Sequence, residues 1–459
     1  MTLAQTPVAQ LWFKRIATVA TLGIVLRAIV SFGAMGSMPQ AEDGPSYSAQ
    51  AVQMLDGSIG YYYFPPGTAL FAAPVYAVIG QSTFSDHLLG VILSSGFLIS
   101  GVWLCYVLMG WGRATFFAAI VLALYPHSVM SATQLSSQPL TSILLTLAIG
   151  LAIQNAEQWS WKRWIGVAVC IAAAMLTRPA SLAVLAVFGL GGIVLWRRQK
   201  VRTSMLAGAT ALVVLILGLS AFPFMAHNNK MGQGWSISTN NEWNLFLGNT
   251  PYTPDYKTGH FGQRGFDQVS PEARAYMSAI LPHESPYAAT YEQRMAMRDA
   301  AVDYMTSHPV RTLYRISNRL RGFWGMDYTA SRVIQNHYGL SNMAFLPLLA
   351  MEGGGYLIVI FFAISAPFLV AAHQRWSWQF LLGCVVAIML PYLAAFALAK
   401  YHLPAIPLLL PISALTAVVV IEDPGGSWRT LRRSKAWWGA VAVTIAVQAE
   451  HLVQLILLR

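Results

Sequence analysis

Charge is scarce in this sequence. Asp, Glu, Lys and Arg make up 10% of its 459 residues, against about 25% in an ordinary soluble domain, and that scarcity argues against a water-soluble globular chain. Cysteine is scarcer still. Cys105, Cys170 and Cys384 all fall inside apolar runs, which supports neither a disulfide framework nor a cysteine metal site. Acidic residues number 18 against 29 basic ones, a formal net charge of +11. Such a balance can mark a nucleic-acid partner, but the basic residues stand beside the apolar runs, so no nucleic acid is expected. No small-residue cleavage site follows the apolar run after Lys14 and Arg15, so no cleaved signal peptide is expected. Internal repeats and low-complexity segments are also lacking.

What the chain has in quantity is apolar length: 56% of it is hydrophobic and its mean hydropathy is +0.52. A helix needs about 20 apolar residues to cross about 30 Å of hydrocarbon. Read against Pro, Gly and charge punctuation, spans fall near 16–37, 87–109, 113–131, 138–155, 162–177, 179–196, 203–225, 344–372, 376–399, 402–421 and 437–457, about eleven in all. The expected fold is an all-α polytopic membrane protein with interfacial helices and an outer insertion of mixed structure. With a cytoplasmic N-terminus, one set of short loops carries Arg113, Lys162, Arg163, Arg197, Arg198, Lys200, Arg202, Arg375 and the basic run from Arg429 to Lys435. The opposite short loops carry little more than Arg178 and Lys400. That asymmetry matches the positive-inside rule. It puts 38–86 and 226–343 outside the cytoplasm, and the expected location is a bacterial cytoplasmic (inner) membrane. The chain then divides into an N-terminal membrane module (1–225), an extracytoplasmic insertion (226–343) and C-terminal membrane helices (344–459).

The first outer loop reads Ala41-Glu42-Asp43-Gly44-Pro45-Ser46-Tyr47, followed by Tyr47, Ala51, Met54 and Leu55 at helical spacing. Pro45 suits a first helical position, and the pattern predicts a short amphipathic helix in the interface. The aromatic cluster Tyr61-Tyr62-Tyr63-Phe64 suits headgroup depth, and Thr68 to Gly80 is too short to cross upright. In the insertion, Arg311, Arg315, Arg319 and Arg321 alternate with apolar residues, which predicts a basic amphipathic helix facing lipid headgroups.

Several ionisable residues are candidates for chemistry. Asp43 can act as a base towards an alcohol or amine at the membrane surface, or it can cap the helix that begins at Pro45. Arg178 and Lys400, each at the outer end of a span, can hold a lipid phosphate or reach to headgroups; His402 can donate to the same phosphate. Arg27, deep in the first span, is a functional candidate unless a partner inside the protein accounts for it. Glu352, Glu450 and His451 belong to no interpretable motif.

Taken together, these segments resemble the GT-C integral-membrane glycosyltransferases, in particular the bacterial relatives of protein O-mannosyltransferases and of the enzymes that modify lipid A and lipopolysaccharide core. The resemblance is carried by Asp43-Gly44-Pro45-Ser46-Tyr47, Pro65-Pro66-Gly67, Leu176-Thr177-Arg178-Pro179, Asn241 to Pro251, His308-Pro309-Val310-Arg311 and Lys400-Tyr401-His402-Leu403-Pro404, in order along nearly the whole chain. It implies the GT-C fold, a polyprenyl-phosphate sugar donor, a lipid, glycan or protein acceptor, and inverting transfer on the outer face with Asp43 as catalytic base. Arg178, Lys400 and His402 would bind the donor phosphate. Glu42, Tyr47, Tyr63, Gln138, Asn244 and Asn249 are the candidate substrate contacts. Relatives often carry a second acid after the Asp and a Glu near the next span; here Gly44 and Gln138 stand in those places, and Gln138 can neither take a proton nor bind a cation strongly. A lone base without a metal cofactor is therefore expected. The rival readings are a polysaccharide polymerase or ligase resting on Arg311, Arg315 and Arg178, and a non-catalytic lipid or sugar transporter.

Overall fold

The structure, a computed structural model, describes residues 6–256, 269–282, 285–370 and 376–457. Helices are the regular elements among the described residues, with no strand. In chain order they are α1 (Pro7–Ala28), α2 (Gly44–Leu55), α3 (Gly67–Ile79), α4 (Thr83–Met109), α5 (Arg113–Leu124), α6 (Pro126–Met130), α7 (Ser137–Glu157), α8 (Trp161–Thr177), α9 (Val184–Arg197) and α10 (Thr203–Lys230). The insertion supplies α11 (Asn241–Gly248), α12 (Pro271–Ile280), α13 (Tyr291–Ser307), α14 (Pro309–Phe323) and α15 (Thr329–Tyr338). The remainder is α16 (Asn342–Leu369), α17 (Trp376–Ala394), α18 (Ile406–Glu422), α19 (Pro424–Arg433) and α20 (Lys435–Leu457).

Local chemistry sets many of these boundaries. Ser82 and Ser85 form a reciprocal capping box at the start of α4, as do Thr290 and Gln293 at α13, each satisfying two backbone N–H groups that the first turn leaves open. Gly80 and Gly110 follow α3 and α4 with φ of +74° and +72°, a region that favours glycine.

Among the described residues, eight helices are long and apolar enough to cross a membrane: Pro7–Ala34, Thr83–Met109, Ser137–Glu157, Pro179–Arg197, Thr203–Lys230, Asn342–Leu369, Trp376–Ala394 and Ala399–Glu422. The chain is thus a multi-pass, all-helical membrane protein. The expected span at 113–131 is α5 and α6, bent by 42°, because Pro126 has no N–H to continue the ladder. The expected spans at 162–177 and 437–457 are also helices, but α8 is only 17 residues long and α20 carries Gln448, Glu450 and His451. Arg375 and the end of the expected span 344–372 lie outside the described residues.

Arg27 is fully buried in the first span. Its guanidinium donates to the carbonyls of Gly23 (2.9 Å), Leu122 (2.8 Å) and Ala123 (2.9 Å) and to the hydroxyls of Ser94 (2.7 Å) and Ser128 (3.3 Å). The carbonyls of Leu122 and Ala123 are those that the break before Pro126 deprives of regular helical donors. In hydrocarbon such groups must be satisfied by protein. Arg27 is therefore a clamp on the broken span, a structural role.

The insertion, expected to be of mixed structure, has helices joined by turns and irregular segments and no strand among its described residues, with a small core of Phe246, Leu247, Met277, Leu281, Ala289 and Met297. Its arginine helix is oriented opposite to expectation. In α14, Arg315 and Arg319 are buried while Val310, Leu313 and Tyr314 are exposed. Arg315 binds Asp255 (2.8 Å) and the carbonyls of Thr250 (3.0 Å) and Thr253 (2.6 Å). Arg319 binds the carbonyls of Leu393 (2.9 Å), Ala394 (3.0 Å) and Gly248. Arg311 shares Asp255, and Arg321 pairs with Glu450 at 3.0 Å. Arg311 and Arg315 thus fasten the insertion internally, and Arg319 and Arg321 tie it to α17 and α20, instead of reaching for headgroups.

Candidate active site

The loop after the first span is stitched to the segment after the broken span by two glutamines working in opposite senses. Gln40 donates to the carbonyl of Thr133 (2.7 Å) and accepts from the Leu135 N–H (2.6 Å). Gln134 accepts from the Ala41 N–H (2.7 Å) and donates to the carbonyl of Pro39 (3.1 Å). The next residue, Glu42, has φ of +52°, an uncommon conformation for a side-chain-bearing residue that is concentrated at functional sites. Asp43 follows, and α2 begins at Gly44. A Cβ at Gly44 would meet Gln40 Oε1 at 2.6 Å and the carbonyl of Leu135 at 3.3 Å, so a second acid in that place would displace the glutamine stitch.

Asp43 occupies the N-cap position of α2, but its side chain caps nothing: no N–H of the first turn donates to it. The half-buried carboxylate instead borders two cavities. The larger, about 330 Å³, is lined by Asp43, Tyr47, Tyr63, Arg178, Asn244 and Lys400, with Asn240, Tyr287, Tyr392 and Tyr401 around them. The smaller, about 50 Å³, is lined by Glu42, Asp43, His127, Gln138 and Lys400. A third, of about 500 Å³, adjoins it through Met38, Glu42, Thr329, Val333 and Lys400.

Each wall of the larger cavity is fixed by a different element. α3 packs so closely on the end of α8 that a Cβ at Gly67 would stand 2.6 Å from the backbone nitrogen of Thr177, and this approach sets the position of Arg178. The Arg178 guanidinium lies 4.9 Å from the Tyr401 ring centre and 5.7 Å from that of Tyr392. Its Nη1 is buried without a hydrogen-bond partner among the described residues, as is Oδ1 of Asn240 on the same cavity. Burial opposes a charge on Arg178, but Tyr392, Tyr401, Tyr47 and Asp43 outweigh it and raise the guanidinium's pKa. Tyr47 donates to Ser137 at 3.2 Å; burial, reinforced by the nearby Asp43 carboxylate, pushes its phenol up to about 12. Tyr63 packs on Tyr287 at 4.4 Å between centroids. The insertion closes this side: the Tyr62 N–H donates to Asn228 Oδ1 (2.8 Å) and the Thr239 N–H to the carbonyl of Tyr62 (3.0 Å).

Two expected residues stand elsewhere. His402 is fully buried: Nδ1 faces the carbonyl of Phe323 at 2.7 Å and Nε2 lies 2.9 Å from Asp327 Oδ1. It lines neither cavity that holds Asp43, because the 3-10 turn at 399–405 sends it to the side of the chain opposite Lys400. Asn249 is buried too, donating to the carbonyls of Leu245 and Ala394 and accepting from Arg319; it secures the insertion. Gln138 borders the smaller cavity, and its Oε1 accepts from Ser136.

Sequence reasoning missed Asp327, the one charged residue between Gly322 and Ser331. Burial alone would raise its pKa, yet His127 and His402 facing it hold it down at about 2. Its isolation in an uncharged stretch was a usable signal. Tyr392 and Tyr401 were missed as well, although Tyr401 adjoins Lys400. Among the described residues no group of three or more His, Cys, Asp or Glu side chains is placed to hold a metal ion.

No family model and no curated protein matches the chain. Among the solved structures that align with it are two of one protein. The crystal structure of ArnT from Cupriavidus metallidurans bound to undecaprenyl phosphate is 11% identical over 86% of this chain and 77% of that one, with a TM-score of 0.40. The same protein in the apo state is 14% identical over 87% and 78%, with a TM-score of 0.38.

Proposed function

We propose that the protein is a membrane glycosyltransferase with the GT-C fold, moving a sugar from a polyprenyl-phosphate donor to an acceptor at the outer face of the cytoplasmic membrane, with inversion. The observation that carries this reading is the convergence of an uncommitted carboxylate, Asp43, and two cations, Arg178 and Lys400, on one aromatic-walled cavity. The acceptor hydroxyl gives its proton to Asp43 while its oxygen attacks the anomeric carbon. The bond from that carbon to the phosphate oxygen breaks, and polyprenyl phosphate leaves with the electron pair. Arg178 and Lys400 stabilise the charge that grows on the leaving phosphate, an effect strengthened by their fixed positions. The buried Nη1 of Arg178 offers an unused donor for it. Tyr63, Tyr47 and Asn244 border the space for the sugar.

A polymerase or ligase resting on Arg311 and Arg315 is disfavoured, since both are engaged by Asp255 and Arg315 by backbone carbonyls as well. The test uses purified protein in lipid nanodiscs with a panel of radiolabelled undecaprenyl-phosphate sugars. Wild type is expected to consume one of them and D43N to lose transfer while remaining folded. Retained transfer by D43N would sink the base assignment, and consumption of none by wild type would favour a transporter.

A further inference from the structure

Behind the 50 Å³ cavity lies a pair of ionisable side chains that the proposed reaction does not yet employ. His127, on the helix that restarts after the break at Pro126, is 5% exposed and lines that cavity beside Asp43 and Gln138. Its Nδ1 lies 2.6 Å from Glu352 Oε1 and 4.0 Å from Asp327 Oδ1. Glu352, fully buried on α16, is itself fixed by the N–H groups of Ala330 (3.1 Å) and Ser331 (2.7 Å) and by the Ser331 hydroxyl. One edge of the imidazole is thus committed to a carboxylate that cannot move. The other edge, Nε2, has no hydrogen-bond partner among the described residues. A histidine held at one nitrogen by a buried carboxylate presents the other nitrogen in a fixed orientation.

We propose that His127 is an acceptor-binding residue, its Nε2 holding the attacking oxygen beside Asp43, with Glu352 as the positioning residue for the ring. The acceptor is an alcohol whose hydroxyl enters this cavity between Asp43 and His127. The adjoining cavity of about 500 Å³, reached past Met38, Glu42 and Thr329, has room for the rest of that acceptor. During transfer the alcohol's proton passes to Asp43 and its oxygen bonds to the anomeric carbon as the phosphate leaves. His127 keeps its own protons and contributes orientation, which raises the fraction of bound acceptor in an attacking geometry. The assignment rests on the transferase reading.

The experiment is steady-state transfer in nanodiscs with the radiolabelled donor that wild type consumes, titrating an envelope lipid and glycan extract as acceptor. H127N is the informative variant: asparagine reproduces the Nδ1 end and its contact with Glu352 but removes the atom facing the cavity. H127N is expected to raise the half-saturating acceptor concentration by about tenfold or to lower turnover by a similar factor. Half-saturation by donor, and binding of undecaprenyl phosphate alone, should stay unchanged. H127Q, whose amide reaches as far as Nε2, should recover part of the loss, and E352Q should show a smaller loss of the same kind. Unchanged acceptor dependence in H127N, or a loss of undecaprenyl phosphate binding, overturns the assignment; should H127N fail to fold, H127Q and E352Q are judged by the same two criteria. Transfer by D43N would refute the base role while leaving these acceptor readouts intact, and a wild type that consumes no donor overturns both readings.

Discussion

Lys400 Nζ lies 3.0 Å from Glu42 Oε2, with Lys400 largely buried and Glu42 half exposed on its strained turn. The lysine borders all three cavities around Asp43, so its ammonium already has a carboxylate partner that an incoming phosphate must share or displace. Removing that competitor frees the charge. E42Q is expected to bind undecaprenyl phosphate a few-fold more tightly, and K400M about tenfold less tightly, by titration in nanodiscs. If E42Q weakens binding as much as K400M does, the carboxylate holds the lysine in its working position instead of competing for it.

Arg178 offers a separable contribution. Its planar guanidinium sits against Tyr401 and Tyr392 with Nη1 unused, a geometry that lysine cannot copy. R178K is expected to lower kcat by about 10- to 100-fold through lost stabilisation of the leaving phosphate, and R178M further. Single-turnover rates with donor bound in advance check this, since they separate chemistry from binding.

Removing Arg27 takes a donor from the Ala123 carbonyl in the broken span and leaves that of Leu122 with only the long contact from the Tyr125 N–H, 3.4 Å. R27M is expected to destabilise the protein by about 3 kcal/mol, given about 1–3 kcal/mol for each buried polar group left unsatisfied. Thermal unfolding in detergent measures this. An unchanged midpoint would mean that water or lipid reaches the break.

The Asp327 carboxyl gives a pH dependence of known sign. Its folded-state pKa of about 2 lies below that of an unfolded aspartate, about 3.9. The stability it contributes is complete above the unfolded value and is lost as pH falls towards the folded one. Wild type should therefore lose stability on acidification below about pH 4 more steeply than D327N, which starts lower at neutral pH. Unfolding midpoints across that range decide it, with parallel curves as the contrary outcome.

Much of this architecture was legible because hydrophobic length is a one-dimensional property. The long spans, the short helices after Asp43 and the inward turn of Tyr47 and Ala51 follow from spacing along the chain. Asp43, Arg178 and Lys400 could be singled out because each breaks a local pattern, and the cavity places them together. His402 and Asn249 misled for the opposite reason: a polar residue adjoining a site residue in sequence points elsewhere once the backbone turns, here in a 3-10 segment and at a helix end. The arginines of α14 show the same limit. An amphipathic pattern gives two faces, but only the partners Asp255, Leu393 and Ala394, distant in sequence, decide which face is covered. Glu352 remained opaque until His127, 225 positions away, was found beside it.

The clamp by Arg27 also bears on how the protein is made. An arginine deep in an inserting apolar helix costs about 2.5–3.5 kcal/mol on translocon scales, and here every acceptor but the Gly23 carbonyl belongs to α4, α5 or α6. The first span thus enters the membrane carrying a debt that persists until roughly a hundred further residues have been synthesised. Until then it gains by staying at the translocon or against an insertase with polar groups to lend. The loop bearing Asp43, stitched to residues just beyond that break, takes its final form only when the same helices arrive.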